Sequence, residues 1–429
     1  MLRFVGCLIC LCWQANFIYA DIAKYADSII EDARLRSPEL IRKYGYPVEL
    51  HSINAKDGFQ LTAHRIPKPG AQPVLLVHGL EDSSSGWLLL GPNTSFAYLL
   101  SDRGYDVWLL NTRGNRYSRK HSKYHLLNPQ FWDFSFHQLG IYDLPATIDY
   151  IIANTNFKQL HYVGHSQGTT SFFVMGSERP AYMKKILLMQ ALAPVAYWNN
   201  IDNPYYLLVA PYINALVRLF HSVGIHELPP ENEVWRELAY QLCSFAFKNT
   251  CTYIVMELMG WDLNQFNDTA IPLILGHYPA GSSVKSFGHY GQTIHRKEFA
   301  KYDYGPLQNR KLYGSDTPPK YKLGNVDCKV ALYYGNNDYL AAVKDVQRLS
   351  RELGNVVHDE LLAYKKFNHL DFVFGKDVKK LLYNSMFEVM AKVESGLLTN
   401  ENKSMGTIVT TRPKLNKGTT NYRSYLTLK

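Results

Sequence analysis

Long apolar runs are few in this 429-residue chain. Residues 4–13 form one, but it is shorter than the roughly 20 residues a membrane-spanning helix needs. Residues 205–220 form another, interrupted by Pro211, Asn214 and Arg218. No transmembrane segment is expected. A Gly-X-Gly-X-X-Gly turn between a strand and a helix is missing, which excludes the dinucleotide-binding folds. His121 and His125 have the i, i+4 spacing of a metal pair, but Lys, Ser and Asn surround them and no acidic partner accompanies them. Neither a metal nor another cofactor is expected. There is no internal repeat and no nucleic-acid-binding module. Charged residues make up only 19% of the chain against 46% hydrophobic, a balance that builds a large core rather than a disordered chain. Single cores stop growing near roughly 250–300 residues, so one core with a smaller subdomain is expected.

Cysteine is scarce too. There are six, and Cys7, Cys10 and Cys12 fall in the first twenty residues. Those twenty (1–20) read as a secretory signal peptide: a start carrying Arg3, the apolar run, polar Gln14 and Asn16, then small Ala20 before the cleavage point at Asp21. The mature chain keeps Cys243, Cys251 and Cys328. In an oxidising compartment that odd number allows one disulfide, with Cys243–Cys251 as the local pairing, and leaves one thiol. Acids are absent after Glu401, whereas Lys403, Arg412, Lys414, Lys417, Arg423 and Lys429 follow it; without these six the net charge drops from +9 to about +3. Residues 394–429 are expected to form a basic, disordered tail, solvated or in contact with an acidic surface. Asn93, Asn267 and Asn402 each head an Asn-X-Ser/Thr sequon, which suits a secreted glycoprotein.

What the chain does contain is an alternation of short apolar runs with helical stretches. The runs cover residues 73–77, 106–110, 160–163, 185–189, 329–334 and, more weakly, 356–362. Each stops in a cluster of Gly, Ser, Asn or Asp. Residues 143–152 and 167–175 read as helices, and 57–66 as an early antiparallel strand. The pattern predicts an α/β fold: a mostly parallel central sheet with helices on both faces and a site beyond the carboxyl ends of the strands. The alternation breaks over residues 199–320, which are rich in Tyr, Phe, His, Pro and Gly. This segment is expected to be an inserted cap, splitting the core into 21–198 and 321–393, and its aromatic content suits a lipid-facing cover.

The sharpest motif is Gly164-His165-Ser166-Gln167-Gly168, between an apolar run and a helical pattern. That is the context of a nucleophile elbow in the α/β-hydrolase fold, whose tight turn needs small flanking residues and lifts the serine to a helix N-terminus. A serine needs a base, and in this fold acid and base follow it in the chain. The candidate base is His369, the last histidine, in Asn368-His369-Leu370-Asp371; its rival His358 lies inside an apolar pattern that suits a structural role. The acid that best fits a turn after a strand is Asp338, behind Gly335-Asn336-Asn337, with Asp345 and Asp371 as alternatives that read as helix starts. Oxyanion donors are expected at the backbone N–H groups of Leu80, in His78-Gly79-Leu80, and of Gln167. His78 and His165 sit too tightly beside their turns to act as bases. Arg113, Asn111 and Asn115 are assigned to loop architecture.

With these residues in place the chain resembles the acid lipase family, the gastric and lysosomal acid lipases and their insect relatives, from about residue 28 to about residue 392. The resemblance is carried by Tyr44-Gly45-Tyr46-Pro47-Val48-Glu49, Asp57-Gly58-Phe59, His64-Arg65-Ile66-Pro67, Leu76-Val77-His78-Gly79-Leu80 and Asn111-Thr112-Arg113-Gly114-Asn115. It continues through Ser118-Arg119-Lys120-His121, Tyr142-Asp143-Leu144-Pro145-Ala146, the Ser166 elbow, Tyr334-Gly335-Asn336-Asn337-Asp338 and Asn368-His369-Leu370-Asp371-Phe372. It implies an α/β-hydrolase core under a cap and lid, and hydrolysis of lipid esters such as triacylglycerols or cholesteryl esters. It also implies the triad Ser166, Asp338, His369 with oxyanion donors Leu80 and Gln167. One departure is Met259, before Gly260-Trp261-Asp262, where gastric members have a cysteine; the tail after Glu394 also runs beyond the family's usual end. The expected product is a secreted lipase, or a lysosomal one, acting at a lipid–water interface. The competing readings are a silent lipid-binding protein on the same fold, which would have lost the triad, and an esterase for small esters.

Overall fold

The apolar runs become the strands of one sheet. The computed structural model describes residues 27–230, 232–243, 247–266 and 271–398. The expected signal peptide, the basic tail beyond residue 398 and the sequons at Asn267 and Asn402 lie outside the described residues, while Glu394, given to the tail, ends the last helix; Asn93 is described, and exposed.

The strands are β1 (Glu49–Asn54), β2 (Phe59–Ile66), β3 (Pro73–Val77), β4 (Asp106–Asn111), β5 (Lys120–His121), β6 (Leu160–His165), β7 (Ile186–Leu192), β8 (Glu227–Leu228), β9 (Ser282–Ser283), β10 (Val330–Tyr334) and β11 (Val356–Leu361). Nine of them form the main sheet in the order β1-β2-β4-β3-β6-β7-β10-β11, with β5 pairing β2. From β4 to β11 every neighbouring pair is parallel, while β1 and β2 run antiparallel at one end. Strands β3, β4, β6 and β10 are buried along their whole length. That is why they read as unbroken apolar runs, as strands covered on both faces do. Strand β1, with sequence ELHSIN, half-buried and edge-lying, has no such run and goes unannounced by the apolar pattern.

Helices α1 (Asp27–Arg34), α2 (Ser37–Lys43), α3 (Phe96–Asp102), α4 (Leu144–Thr155) and α5 (Gln167–Glu178) precede or link the first strands. Helix α5 connects β6 to β7 and is buried over nearly every residue. Between β7 and β10 the chain leaves the sheet. This excursion holds α6 (Pro204–Val209), α7 (Ile213–Ser222), α8 (Glu233–Gln241), α9 (Lys248–Met259), α10 (Ile271–His277), α11 (Val284–Arg296) and α12 (Pro306–Tyr313), with the small β8–β9 ladder. Cys243, just past α8, is disulfide-bonded to Cys251 in α9, and Cys328 is a buried free thiol. Helices α13 (Val343–Glu352) and α14 (Asn384–Glu394) complete the core.

Candidate active site

Ser166 stands between β6 and α5 with φ 51° and ψ −114°, the left-handed side of the map that side chains avoid. The turn is tight enough to forbid neighbours larger than glycine. A Cβ on Gly164 would lie 2.8 Å from the carbonyl carbon of Gly168, and one on Gly168 would lie 2.3 Å from the carbonyl oxygen of Val77, at the end of β3. The strand–turn–helix geometry thus pushes the Ser166 hydroxyl out at the carboxyl edge of the sheet.

His369 meets it there. Its Nε2 lies 2.8 Å from Ser166 Oγ, and its Nδ1 lies 2.9 Å from each carboxylate oxygen of Asp338. Asp338 occupies the turn after β10, where its Oδ1 also accepts the N–H groups of Leu340 and Ala341, both at 2.8 Å. Both Asp338 and His369 are buried. The histidine loop is held from two sides. Asn368 Oδ1 accepts the N–H groups of Leu370 and Asp371, while its Nδ2 donates to the Gly260 carbonyl at 2.8 Å and the His369 N–H donates to the Met259 carbonyl at 3.2 Å.

The loop after β3 packs against the same turn: a Cβ on Gly79 would lie 3.2 Å from the His165 ring and 3.4 Å from Ser166 Cβ. That packing brings Leu80 to the cavity wall beside Ser166 and His369. Neither the Leu80 N–H nor that of Gln167, first residue of α5, donates to another group among the described residues. Two preorganised donors at a helix start and a strand end are what a developing oxyanion requires.

The remaining polar candidates serve the scaffold. His78 donates from Nδ1 to the Gly79 carbonyl at 2.7 Å, and its Nε2 accepts from Thr112 N–H and Asn115 Nδ2, each at 3.2 Å. Burial pulls it down to about 4. His165 donates from Nε2 to the His369 carbonyl at 2.9 Å, and burial, then the neighbouring His369, pulls it down to about 3. Arg113 is buried between Asp57 and Asp143, which it binds at 2.5–3.0 Å. Asn115 donates to Asn111 at 3.1 Å. His358 pairs with Glu360 on β11, and Asp345 accepts from Asn200. Asp371 sits at a helix start and accepts the Asn368 N–H.

The hydroxyl of Ser166 opens onto a cavity of about 400 Å³ walled mainly by apolar side chains, among them Trp198, Tyr206, Val209, Ile213 and Phe287. Three residues here escape the sequence reading. Glu81 and Asp82, directly after Leu80, line this cavity, and burial pushes each carboxyl up to about 7. Gly260, at φ 114°, packs so closely that a Cβ would lie 1.9 Å from the Asn337 carbonyl oxygen. It therefore wedges the chain after α9 between the acid turn and the histidine loop. The two adjacent acids behind His78-Gly79-Leu80 were a visible signal; the role of Gly260 depends on contacts too distant in sequence to read.

Comparison with known proteins bears on the family and the fold. A family model described as the alpha/beta hydrolase fold matches residues 72–219, and one described as a partial alpha/beta-hydrolase lipase region matches residues 37–91. Lipase 1 of Drosophila melanogaster is 45% identical over 88% of this chain and 84% of its own. The gastric triacylglycerol lipase of Homo sapiens is 37% identical over 82% of this chain and 90% of its own. Among solved structures, a putative lipase from Acinetobacter baumannii superposes with a TM-score of 0.52 at 13% identity, covering 84% of this chain and 95% of that one, a likeness of fold.

Proposed function

The chain belongs to the lipases of the α/β-hydrolase fold, and on that premise we propose that it hydrolyses the carboxylic esters of neutral lipids, triacylglycerol or cholesteryl ester, through an acyl-enzyme on Ser166. His369 Nε2 takes the Ser166 proton as Oγ attacks the ester carbonyl. The N–H groups of Leu80 and Gln167 receive the oxyanion. Asp338 fixes the imidazole tautomer and stabilises the imidazolium. His369 then returns its proton to the leaving alcohol, and a water deprotonated by the same nitrogen releases the fatty acid and restores Ser166. The observation that carries this reading is the 2.8 Å contact between Ser166 Oγ and His369 Nε2 on the wall of a largely apolar cavity.

A lipid substrate is supported by that lining and by the outer side of α6 and α7. From residue 203 to residue 226 the chain holds no acid and one full cation, Arg218. Leu208, Tyr212 and Leu219 from this stretch are 57–69% exposed, while Tyr205, Val209 and Ile213 from the same stretch line the cavity. One wall therefore faces both the site and the surroundings with apolar side chains, as a cover working at a lipid–water interface must. Export from the cell, with glycosylation, is supported by the signal-like first twenty residues, the Cys243–Cys251 disulfide and the exposed sequon at Asn93. Among the described residues no helix is long and apolar enough to cross a membrane.

The test is fatty-acid release from emulsified triolein, cholesteryl oleate and a short-chain ester between pH 4 and 8, by the parent and by Ser166→Ala. Release by the parent that vanishes in the variant is the expected result. A folded parent inactive on all three would overturn the reading in favour of a silent lipid-binding protein.

A further inference from the structure

Glu81 is an odd residue for its place. It directly follows Leu80 and borders the cavity of Ser166 and His369. Its backbone is held in the left-handed region at φ 61°, and its carbonyl accepts the Ala280 N–H at 2.5 Å, so the loop is tied to the segment after α10. The side chain is less well served. Its one hydrogen-bond partner among the described residues is the Tyr278 hydroxyl, at a long 3.5 Å from Oε2. Other polar groups on this wall are occupied. The Tyr206 hydroxyl donates to the Leu258 carbonyl, Tyr290 donates to Thr170, and Asp82 accepts the Ser83 N–H at 2.6 Å. Two further atoms of lining residues, Trp198 Nε1 and His165 Nδ1, have no partner among the described residues, but both are sealed beneath the wall and do not open onto the cavity. The largely apolar cavity thus keeps one carboxyl whose one tie among the described side chains is a long hydrogen bond. Such groups impose a desolvation cost unless a ligand completes them.

An ester of a fully substituted alcohol offers only acceptor oxygens near the scissile bond. A partially acylated glycerol also offers hydroxyl donors, and its hydroxyl oxygen can accept. Whether ionised or neutral, the Glu81 carboxyl presents an oxygen that a hydroxyl can bind. Building on the lipase reading above, we propose that Glu81 is a specificity-determining residue which hydrogen-bonds a free hydroxyl on the alcohol part of the ester, so that mono- and diacylglycerols are preferred to triacylglycerols. The preference arises because a substrate lacking the hydroxyl leaves the Glu81 carboxyl with only its long Tyr278 bond, and a poorly satisfied polar group discriminates more strongly than an extra methylene does.

The experiment compares kcat/KM for monooleoylglycerol with that for its analogue in which both hydroxyls are capped as methyl ethers, in mixed detergent micelles of constant composition. Triolein serves as a third substrate. The parent is expected to favour the free hydroxyls by about tenfold or more. Glu81→Leu is expected to erase most of that ratio, and Glu81→Gln, which keeps a carbonyl acceptor, to retain much of it. A parent that treats the capped and uncapped esters alike overturns the proposal without any variant. So does a Glu81→Leu enzyme that still hydrolyses triolein and keeps the parental ratio. A parent inactive on every ester instead defeats the lipase reading, and is distinguished by that.

Discussion

Among the described residues five non-glycine residues have positive φ, and their distribution separates local from functional causes. Asn156 and Lys297 close helices α4 and α11 in left-handed caps. Glu81, Ser166 and Ala193 instead follow β3, β6 and β7, at the carboxyl edge of the sheet. Strain there persists only because the surrounding packing enforces it. Gly168→Ala therefore attacks the enforcement directly. Its Cβ would meet the Val77 carbonyl at 2.3 Å, and a backbone group cannot step aside as a side chain can. The expected outcome is a stability loss of about 1–3 kcal/mol by thermal unfolding, with kcat/KM down roughly 100-fold as the turn shifts. Asp338→Asn tests the acid more gently. The amide oxygen can keep the Leu340 and Ala341 N–H bonds, but its NH2 then faces His369 Nδ1 and favours the wrong tautomer. kcat should drop about 10⁴-fold with KM and the thermal midpoint nearly unchanged; an equal loss in Ala and Asn variants with an altered midpoint would point to a structural role instead. Ser166 is legible from sequence because glycines at fixed offsets mark its turn. Asp338 and His369 are legible only by chain order and by the turns they follow. Glu81 is visible as a residue but not as a cavity residue, since Tyr278 and Ala280 reach it from almost 200 positions away.

At the level of elements, the joint between the excursion and the core has one unusual contact. Asp262, two residues past Gly260, faces Asp371 at the head of the short helix after His369. Burial chiefly, with help from the Asp262 and Asp338 charges, raises Asp371 from 3.8 to about 8. The stability contributed by this raised carboxyl is fully present below pH 4 and is lost as pH rises through about 8. Asp371→Asn substitutes an amide that stays neutral at every pH. Its thermal midpoint should match the parent at pH 5.5 and exceed it at pH 9, by on the order of 1 kcal/mol, roughly 2 °C. A variant equally destabilised at both values would show that Asp371 holds the loop as a carboxylate. The sequence presents Asp371 as a helix-start residue, which it is. The proximity of Asp262 lies beyond periodicity, because nothing local records which turn of the excursion comes to rest on which loop of the core.

For the whole molecule, the parallel sheet is legible because double-sided burial keeps β3, β4, β6 and β10 mostly apolar, whereas exposure at the edges restores polar residues, so that β11 shows only as the weak run 356–362 and β1 shows as none. The excursion between β7 and β10 was recognisable as a break in alternation, but its β8–β9 ladder is two residues long on each side and leaves no pattern to find. Its composition carries more than its secondary structure does. An apolar side chain exposed alone is ordinary, but a continuous acid-free stretch that is apolar toward both cavity and exterior is a surface awaiting contact. Leu208 and Leu219 are 69% and 57% exposed and do not line the cavity, so changing both to serine should move the folded state by no more than about 0.5 kcal/mol per site. On an emulsion the two leucines would otherwise bury apolar area in lipid, at roughly 25 cal/mol per Å². The double variant should therefore lose about tenfold or more in activity on emulsified triolein, while hydrolysis of a short-chain ester dissolved below its solubility limit stays within about twofold. A parallel decline on both substrates would place these leucines in the folding or chemistry of the enzyme, and no decline on either would remove this face from the interface.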